Sequence, residues 1–492
     1  MTNQDQSQEI YNQVTRKAKR GMGWNYLSMG LGRVLNLITL AILAHLLAPE
    51  YFGLVSLATL TMDYLSAFKD LGLGAAIIQR KHSIEEASNT AFILNLLAGL
   101  LLTIVIYLIA PFAADFFHEE HVIQVLRWLG LSFFINSFSS VHNVLLQREL
   151  DFKKKIIPDL GNTLVKAFIS ISLALGGFGV WALVIGQLAG IIVATVILWL
   201  VLPWKPRFHW NTGIAKELFR YGLSIMGDNL LTVWVDSFDY LIIGRIYNTA
   251  LLGIYTLAYR LPEMLIINIM WTMTAVLFPT FASLQDERPM LKKIFLSVVR
   301  YVELLVIPMC IGMVVAADPI IRVIFGEQWV ESIPILQVLA LYALVTSIGF
   351  NAGDIYKAIG RPDILLKIAI PVFFIRVIAI WVGAQYSILG VAIGHLVAAL
   401  IATSIQMTVA SRILSITILD ILKQLKAFIG AAVLVALALP ALYFSQGYNH
   451  IIRLIVVVAA GAIGYIACIF MIDRDSLMQA MKIIVKRKDQ AS

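Results

Sequence analysis

The sequence predicts an all-α integral membrane protein of about fourteen transmembrane helices, which an internal repeat groups as two parallel-related six-helix lobes plus two C-terminal helices. Three observations lead there. Of 492 residues, 60% are hydrophobic and only 14% are charged, whereas a soluble domain carries about a quarter charged residues. The apolar residues fall in runs of about 20, the length that crosses a hydrocarbon core. Lys and Arg concentrate in alternate links between those runs, as a fixed membrane topology requires.

The runs lie near 22–47, 52–68, 89–111, 122–147, 158–176, 179–202, 219–245, 253–282, 294–317, 333–356, 363–384, 388–411, 424–445 and 450–472. They are too long for the strands of an outer-membrane barrel and lack period-2 alternation. The first twenty residues are polar and end in Arg16, Lys17, Lys19 and Arg20. The run behind them is longer than a signal-peptide core and has no small-residue cleavage site, so it reads as an uncleaved first span. The turn Gly176-Gly177-Phe178-Gly179 separates two spans by very little chain.

About 29 of the 38 basic residues lie on one side, in the tails and the links near 69–88, 147–157, 203–218, 284–293, 357–367 and 412–426. The opposite links hold Arg127, Arg245, Arg322 and Arg453. The rich side is cytoplasmic, so both termini are cytoplasmic and the span count is even. The predicted organisation is a cytoplasmic tail (1–21), an N-lobe of spans 1–6 (22–202), a cytoplasmic linker (203–218), a C-lobe of spans 7–12 (219–411), spans 13–14 (424–472) and a basic cytoplasmic tail (473–492). Within that tail the amphipathic stretch Leu477–Ile484 precedes Lys486-Arg487-Lys488. It fits either an interfacial helix on anionic lipid or a frayed tail.

The lobes rest on an internal repeat, a common feature of transporters. Pro49-Glu50-Tyr51-Phe52-Gly53-Leu54-Val55-Ser56-Leu57-Ala58 recurs two hundred residues later as Thr249-Ala250-Leu251-Leu252-Gly253-Ile254-Tyr255-Thr256-Leu257-Ala258, with the glycine and the Leu-Ala pair in register. Arg148, Lys154 and Pro158 likewise match Arg361, Lys367 and Pro371 at one offset. Both matches pair spans six apart.

A charge at mid-bilayer costs at least about 2.5–3.5 kcal/mol, so it faces a cavity or a partner. Four cations sit well inside spans: Arg33, Lys166, Arg260 and Arg376. They form either a ladder of positive sites for an anionic head group such as a pyrophosphate, or the basic halves of structural ion pairs. Arg grips phosphate with two parallel bonds, whereas Lys acts as a point charge. The acids are Asp228, Asp236 and Asp239, then Glu263 and Glu303. With Thr232, the three aspartates share a helical stripe roughly 80° wide. Asp228, Asp236, Asp239 and Glu263 are candidates for coupling to Na⁺ or H⁺, the alternative being that they neutralise Arg260 and Arg376. Asn25, Ser28 and Asn36 give span 1 a polar stripe near Arg33. It suits sugar hydroxyls or, equally, bonding between helices.

Enzyme motifs are absent. No Gly-Lys pair occurs, so there is no P-loop. His118-Glu119-Glu120-His121 lacks the spacing of a helical zinc site and reads as a solvated loop. Asp473 and Asp475 read as interfacial charge. Cys310 and Cys468 both fall in apolar runs, which argues against a disulfide framework or thiol metal site. Basic residues do not cluster on one domain, so nucleic acid is not an expected partner.

Five segments carry a family resemblance: Leu71-Gly72-Leu73-Gly74-Ala75-Ala76-Ile77-Ile78-Gln79-Arg80-Lys81, Gln147-Arg148-Glu149-Leu150-Asp151-Phe152, Leu277-Phe278-Pro279-Thr280-Phe281-Ala282, Phe325-Gly326-Glu327-Gln328-Trp329 and Ile333-Pro334-Ile335-Leu336-Gln337. Taken together, they closely resemble the polysaccharide flippases of the multidrug/oligosaccharidyl-lipid/polysaccharide exporter superfamily, in particular the Wzx-type, colanic-acid-like branch. The resemblance runs from about residue 16 to about residue 470. It implies a central cavity between the two lobes, and a flippase, not an enzyme, that moves polyprenyl-pyrophosphate-linked oligosaccharide repeat units across the cytoplasmic (inner) membrane by alternating access, for exopolysaccharide, capsule or O-antigen synthesis. Pro262, Pro279, Pro308 and Pro371 are places for helices to bend during that cycle. No cofactor is expected beyond a Na⁺ or proton gradient. The expected partners are the lipid-linked oligosaccharide, membrane lipids, and a polysaccharide polymerase with its assembly proteins. The competing readings are a cation-coupled exporter of another substrate in the superfamily, a lipid II flippase, and a membrane glycan polymerase or ligase. The polymerase or ligase would need a sizeable outer loop, and the outer links are short.

The topology is directly testable. Cysteines placed at Ser7 or Lys153 should be protected from a membrane-impermeant thiol reagent in intact spheroplasts, while one at Glu119 should be labelled. Labelling at all three positions rules out fourteen spans with cytoplasmic termini.

Overall fold

The computed structural model describes residues 30–66, 68–69, 73–80, 82–149, 151–220, 222, 233–234, 237–475 and 477–478. Among them every regular element is helical. Without water in the hydrocarbon, each backbone N–H and C=O must find its partner inside the chain, and a helix does this within one segment. Eleven described helices are long and apolar enough to cross a membrane, and the protein is a multi-pass membrane protein. Three of the fourteen expected spans are not among the eleven. Span 22–47 is described only from Gly30, as a shorter apolar helix. Span 52–68 is an 18-residue helix that carries Glu50 and Asp63. Span 219–245 is described only in part, at 219–220, 222, 233–234 and 237–245, and the tail beyond 478 lies outside the described residues.

The chain forms two compact units that meet in sequence at Gly253 and Ile254. The first contains α1 (Gly30–Leu46), α2 (Pro49–Ser66), α3 (Leu73–Gln79), α4 (Ile84–Phe117), α5 (Val122–Arg148), α6 (Phe152–Leu175) and α7 (Val180–Val201). It continues with helical residues 212–220 (α8), α9 (Phe238–Ile246) and the first turn of α10 (Thr249–Pro262). α4 pairs with α5, and α6 with α7, while α5 packs against α2, α4 and α7. The α6–α7 turn is tight because Gly177 (φ +77°) and Gly179 (φ +55°) take left-handed conformations that a side chain disfavours.

The two glycines of the sequence repeat meet within this unit. A Cβ on Gly53 would lie 1.8 Å from the Thr249 carbonyl oxygen, and one on Gly253 would lie 2.0 Å from that of Pro49. The starts of α2 and α10 therefore cross at backbone contact, a packing mode that small residues permit in membranes. At the basic end, the segment expected as a linker is docked. Ile214, Leu218, Leu202 and Leu198 join a buried cluster with Leu73, Ile77 and Phe92. The Arg207 N–H donates to Asn89 Oδ1 (2.8 Å), and Arg80 pairs with Glu217 (2.9 Å).

The second unit continues α10 through a π-helical turn (Glu263–Ile267) into α11 (Asn268–Ala282). Pro262 lies at the junction, where its missing N–H favours such a bulge. There follow α12 (Arg288–Val315), α13 (Ala317–Ile324), a 3₁₀ turn (Glu327–Trp329), α14 (Ser332–Phe350), α15 (Ala352–Ala358), α16 (Asp363–Ala384), α17 (Ile388–Leu414), α18 (Ile418–Gln424), α19 (Ala427–Phe444) and α20 (His450–Ile472). α14 packs between α12 and α17, and α16 forms a hairpin with α17. The link α18 is fixed by a capping box between Thr417 and Asp420 and by Lys292 on Asp420 (3.1 Å). The Thr417 N–H and the Lys292 ammonium hold the Asp420 carboxyl below the usual carboxylate range.

The C-terminal hairpin α19–α20 is fastened to the rest of this unit at three heights. At one end Asp318 of α13 accepts from Arg453 (2.6 Å) and Arg322 (2.8 Å). At the other, Arg300 of α12 donates to Asp473 (Nε to Oδ2, 2.8 Å). Asp473 is only 5% exposed, so it is a buried anchor rather than loose interfacial charge. Between these ends the Tyr465 hydroxyl donates to the Leu304 carbonyl (2.7 Å). Leu304 is four residues before Pro308, so its carbonyl has lost its normal helical donor. α12 runs unbroken through Pro308, and a tyrosine from α20 supplies the missing hydrogen bond.

Tyr465→Phe should therefore lower the stability of the folded protein by about 1–3 kcal/mol, the cost of an unsatisfied buried carbonyl. Tyr443→Phe, whose side chain is exposed, is the control. Thermal unfolding of detergent-solubilised protein reads both, and equal melting temperatures would show that Tyr465 is not repairing α12.

Candidate functional site

In the first unit Arg33 and Asn36 lie on α1, three residues apart and so on one face. Arg33 is half-buried and Asn36 exposed. Lys166 of α6 is half-buried, with its stem against α7. A Cβ on Gly190 would lie 3.1 Å from Lys166 Cβ and 2.4 Å from Asn162 Oδ1, so the absence of a side chain there lets α7 approach the lysine. Asp239 opens α9 at 1% exposure. Its charge and that of Asp63 both act on Tyr64 of α2, whose ring stands 4.9 Å from Trp234. Arg33, Lys166 and Asp239 are each engaged with other groups. Asn25, Asp228 and Asp236 lie outside the described residues.

The His118–His121 link closes one side of a cavity of about 280 Å³, lined by Phe117, His118, Glu119, Arg245, Tyr247 and Asn248 among others. Arg245 reaches the His118 ring (Nη1 to Nε2, 2.9 Å), and His121 pairs with Glu119 (2.8 Å). The two histidines thus have different partners, and among the described residues no group of three His, Cys, Asp or Glu could hold a metal.

In the second unit the structure joins two residues that the sequence assigned to different roles. Arg260 and Glu263 form an ion pair across the start of the π turn (3.0 Å). Both remain partly open, with side chains 51% and 33% exposed. Arg376 of α16 is half-buried, and its charge acts on His395 of α17, which is 3% exposed. From His395 a file of rings runs through Tyr342 of α14 (4.8 Å) to Tyr259 (6.2 Å) and Tyr255 of α10 (6.5 Å). Tyr259 adjoins Arg260, so within one unit aromatic groups connect the surroundings of two candidate cations. Tyr255, Tyr342 and His395 are all buried, so the file packs α10, α14 and α17 together, and Tyr259 alone of the four is partly open. The sequence reading did not select Tyr259, Tyr342, His395 or Asp63. The i,i+4 spacing of Tyr255 and Tyr259 was a visible signal, whereas the proximity of Tyr342 to His395 depends on packing between helices.

The family described as "Polysaccharide biosynthesis protein" matches residues 42–334. The succinoglycan biosynthesis transport protein ExoT of Rhizobium meliloti is 26% identical over 96% of this chain and 97% of its own length. The teichuronic acid biosynthesis protein TuaB of Bacillus subtilis is 27% identical, over 71% of this chain and 73% of that protein. The lipopolysaccharide biosynthesis protein WzxC of Escherichia coli is 25% identical, over 79% and 80% respectively. Among solved structures, the lipid II flippase MurJ in an inward closed conformation superposes with a TM-score of 0.75 at 15% identity, over 92% of this chain and 99% of that one. An inward-facing multidrug resistance MATE family transporter of the MOP superfamily gives 0.62 at 18% identity, over 78% and 94%. The chain therefore shares its fold with these two proteins.

The Arg260–Glu263 pair is open to a double-mutant cycle. Arg260→Gln and Glu263→Gln should each lower the melting temperature, and the double variant should lose less than the sum. Additive losses would show that the two side chains do not support one another.

Proposed function

The chain belongs to the polysaccharide biosynthesis protein family, and from that membership we propose that it flips polyprenyl-pyrophosphate-linked oligosaccharide repeat units across the cytoplasmic membrane by alternating access, for exopolysaccharide, capsule or O-antigen synthesis. One observation carries the reading: nearly the whole chain aligns with a protein named for succinoglycan transport. The fold it shares with a lipid II flippase agrees with a lipid-linked cargo. The cargo crosses chemically unchanged, so we read the protein as a transporter rather than an enzyme.

The physical task matches the residues. A pyrophosphate and a set of sugar hydroxyls cannot enter hydrocarbon, because every unpaired polar group costs several kcal/mol there. Arg33, Lys166, Arg260 and Arg376 are placed in apolar helices, and we assign them to the anionic head group. Asn25 and Asn36 are assigned to its sugars, with the prenyl tail remaining in lipid. Asp228, Asp236, Asp239 and Glu263 are our candidates for coupling to a Na⁺ or proton gradient. Glu263 would also balance Arg260, its ion-pair partner. Both termini are assigned to the cytoplasm from the distribution of basic residues. A polymerase and assembly proteins would receive the flipped unit. The fold of a multidrug exporter favours one rival, a cation-coupled exporter of another substrate, and the choice of cargo separates the two.

Proteoliposomes holding a polyprenyl-pyrophosphate oligosaccharide should expose it at the far leaflet in the presence of the wild-type protein. Single Ala substitutions at Arg33, Lys166, Arg260 and Arg376 should slow that exposure about tenfold or more, as expected for a lost charge-assisted bond. If the grip on phosphate is bidentate, Arg33→Lys and Arg376→Lys fail as well. Four well-folded Ala variants that flip normally would remove the cations from the mechanism. A wild-type protein that exports a cationic drug but flips no lipid-linked sugar would favour the rival.

A further inference from the structure

Glu303 sits near the middle of α12 and is 0% exposed. Among the described residues its one hydrogen-bond neighbour is Ser347 of α14, with Oγ 2.8 Å from Oε1. Its other oxygen, Oε2, is buried without a hydrogen-bond partner. No Lys, Arg or His among the described residues forms an ion pair with it. Among the described residues Cys310, two turns along α12, and Tyr465 of α20 are near it and bring no positive charge, while Arg300, one turn before it on α12, is paired with Asp473. Among the described residues no cation of the other helices packed on α12 pairs with Glu303. Asp318 and Arg322 of α13 bind each other, Asp420 of α18 binds Lys292, His395 of α17 responds to Arg376, and the buried side of α19 is Ala, Gly and Leu.

The position of the hydrogen follows from the hydroxyl. Ser347 Oγ lies 2.8 Å from Glu303 Oε1 and 2.6 Å from the Leu344 carbonyl oxygen. A hydroxyl has one hydrogen to give, and the carbonyl can only accept. If Ser347 donates to Leu344, a carboxylate at Oε1 would face a bare oxygen lone pair. If it donates to Oε1, the carbonyl would do so. A protonated carboxyl resolves both contacts: Glu303 donates to Ser347, and Ser347 donates to Leu344. Burial argues the same way, since an isolated carboxylate in an apolar interior neutralises rather than persists. A metal cation fits poorly. Hard cations take about six or more oxygen ligands, and this site presents one carboxyl and one hydroxyl.

We propose that Glu303 is a proton-binding site of the second unit. It holds its proton while α12 and α14 are packed together and gives it up to water when the two helices separate. The proton leaves the Glu303 O–H for a water molecule and leaves a carboxylate that keeps the interface open until it is reprotonated. A proton gradient thereby acts on the packing of α12 against α14. The binding site stands on the geometry alone, while its role in coupling rests on the reading of the chain as a transporter.

The test uses the full chain in lipid nanodiscs and proteoliposomes. Infrared spectra at neutral pH should contain the carbonyl stretch of a protonated carboxylic acid, sensitive to deuterium exchange and missing from Glu303→Gln. In Ser347→Ala that band should persist at a shifted frequency, because the hydroxyl that accepts from it is gone. A spectrum with no Glu303-dependent acid band overturns the site, as does a band unmoved by Ser347→Ala. That second variant decides the matter if Glu303→Gln does not fold. In proteoliposomes an imposed pH gradient should accelerate flipping by the wild type, and the acceleration should disappear in Glu303→Gln. Equal acceleration in both overturns the coupling role. Wild-type protein that moves no lipid-linked sugar overturns the transport reading and with it the coupling role, while the infrared result still decides the site.

Discussion

The constraint that the rest of this structure answers to is the absence of water between its helices. Lipid is as apolar as a leucine side chain, so burying apolar surface against a neighbour gains little. Cohesion must come from close approach and from polar groups with no better place to go. The crossing of α2 and α10 shows the first. Gly53 and Gly253 bring two backbones into contact where any side chain would collide with a carbonyl oxygen. The α16–α17 hairpin uses the same device, with Gly383 and Gly390 each facing the other's carbonyl. The repair of α12 shows the second, because the carbonyl orphaned by Pro308 has Tyr465 as its donor.

Polar side chains meet the same constraint in three ways. Some pair: Arg300 with Asp473 and Arg453 with Asp318 hold α20 at both ends, and Arg260 with Glu263 flanks the π turn. Others stay half-open while engaged with other groups, as Arg33, Lys166 and Arg376 do. Glu303 takes the third course and is buried with a serine, an arrangement that closes only if the acid is neutral.

What the sequence disclosed and what it withheld divide along physical lines. Long apolar runs and the alternation of basic links are properties of single segments, and they located the eleven described spans, although the run expected at 253–282 is described as a span over Thr249–Trp271. The glycine repeat was visible as a pattern, but that Gly53 and Gly253 belong to one crossing is a fact of packing. Charges in spans were visible as a cost. Which acid meets which cation was not, since Arg260 and Glu263 lie three residues apart on one helix while Arg300 and Asp473 are separated by most of the second unit. Asp473 looked like interfacial charge because it ends an apolar run, and only its burial against α12 shows otherwise. Tyr342 and His395 carry no local signal at all, since each is an ordinary residue of its own helix and their relation arises when α14 packs on α17.

The fastening of α20 also bears on how the second unit can move. Leu304, whose carbonyl Tyr465 caps, adjoins Glu303 in sequence, and Arg300 and Asp473 close the same interface one turn away. Separating α12 from α20 would break an ion pair and uncover a carbonyl in a medium that supplies no replacement. Separating α12 from α14 breaks the hydrogen bond between Glu303 and Ser347 and the one from Gln337 Nε2 to the Val314 carbonyl (3.0 Å), and it admits the water that a released proton needs. The second motion breaks no ion pair, and of the two it is the one that changes the charge of Glu303. On this argument Pro308 does not mark a free hinge in α12. It marks the place where α12 is committed to α20, which leaves α14, with its helix interrupted at Asn351, as the partner able to shift.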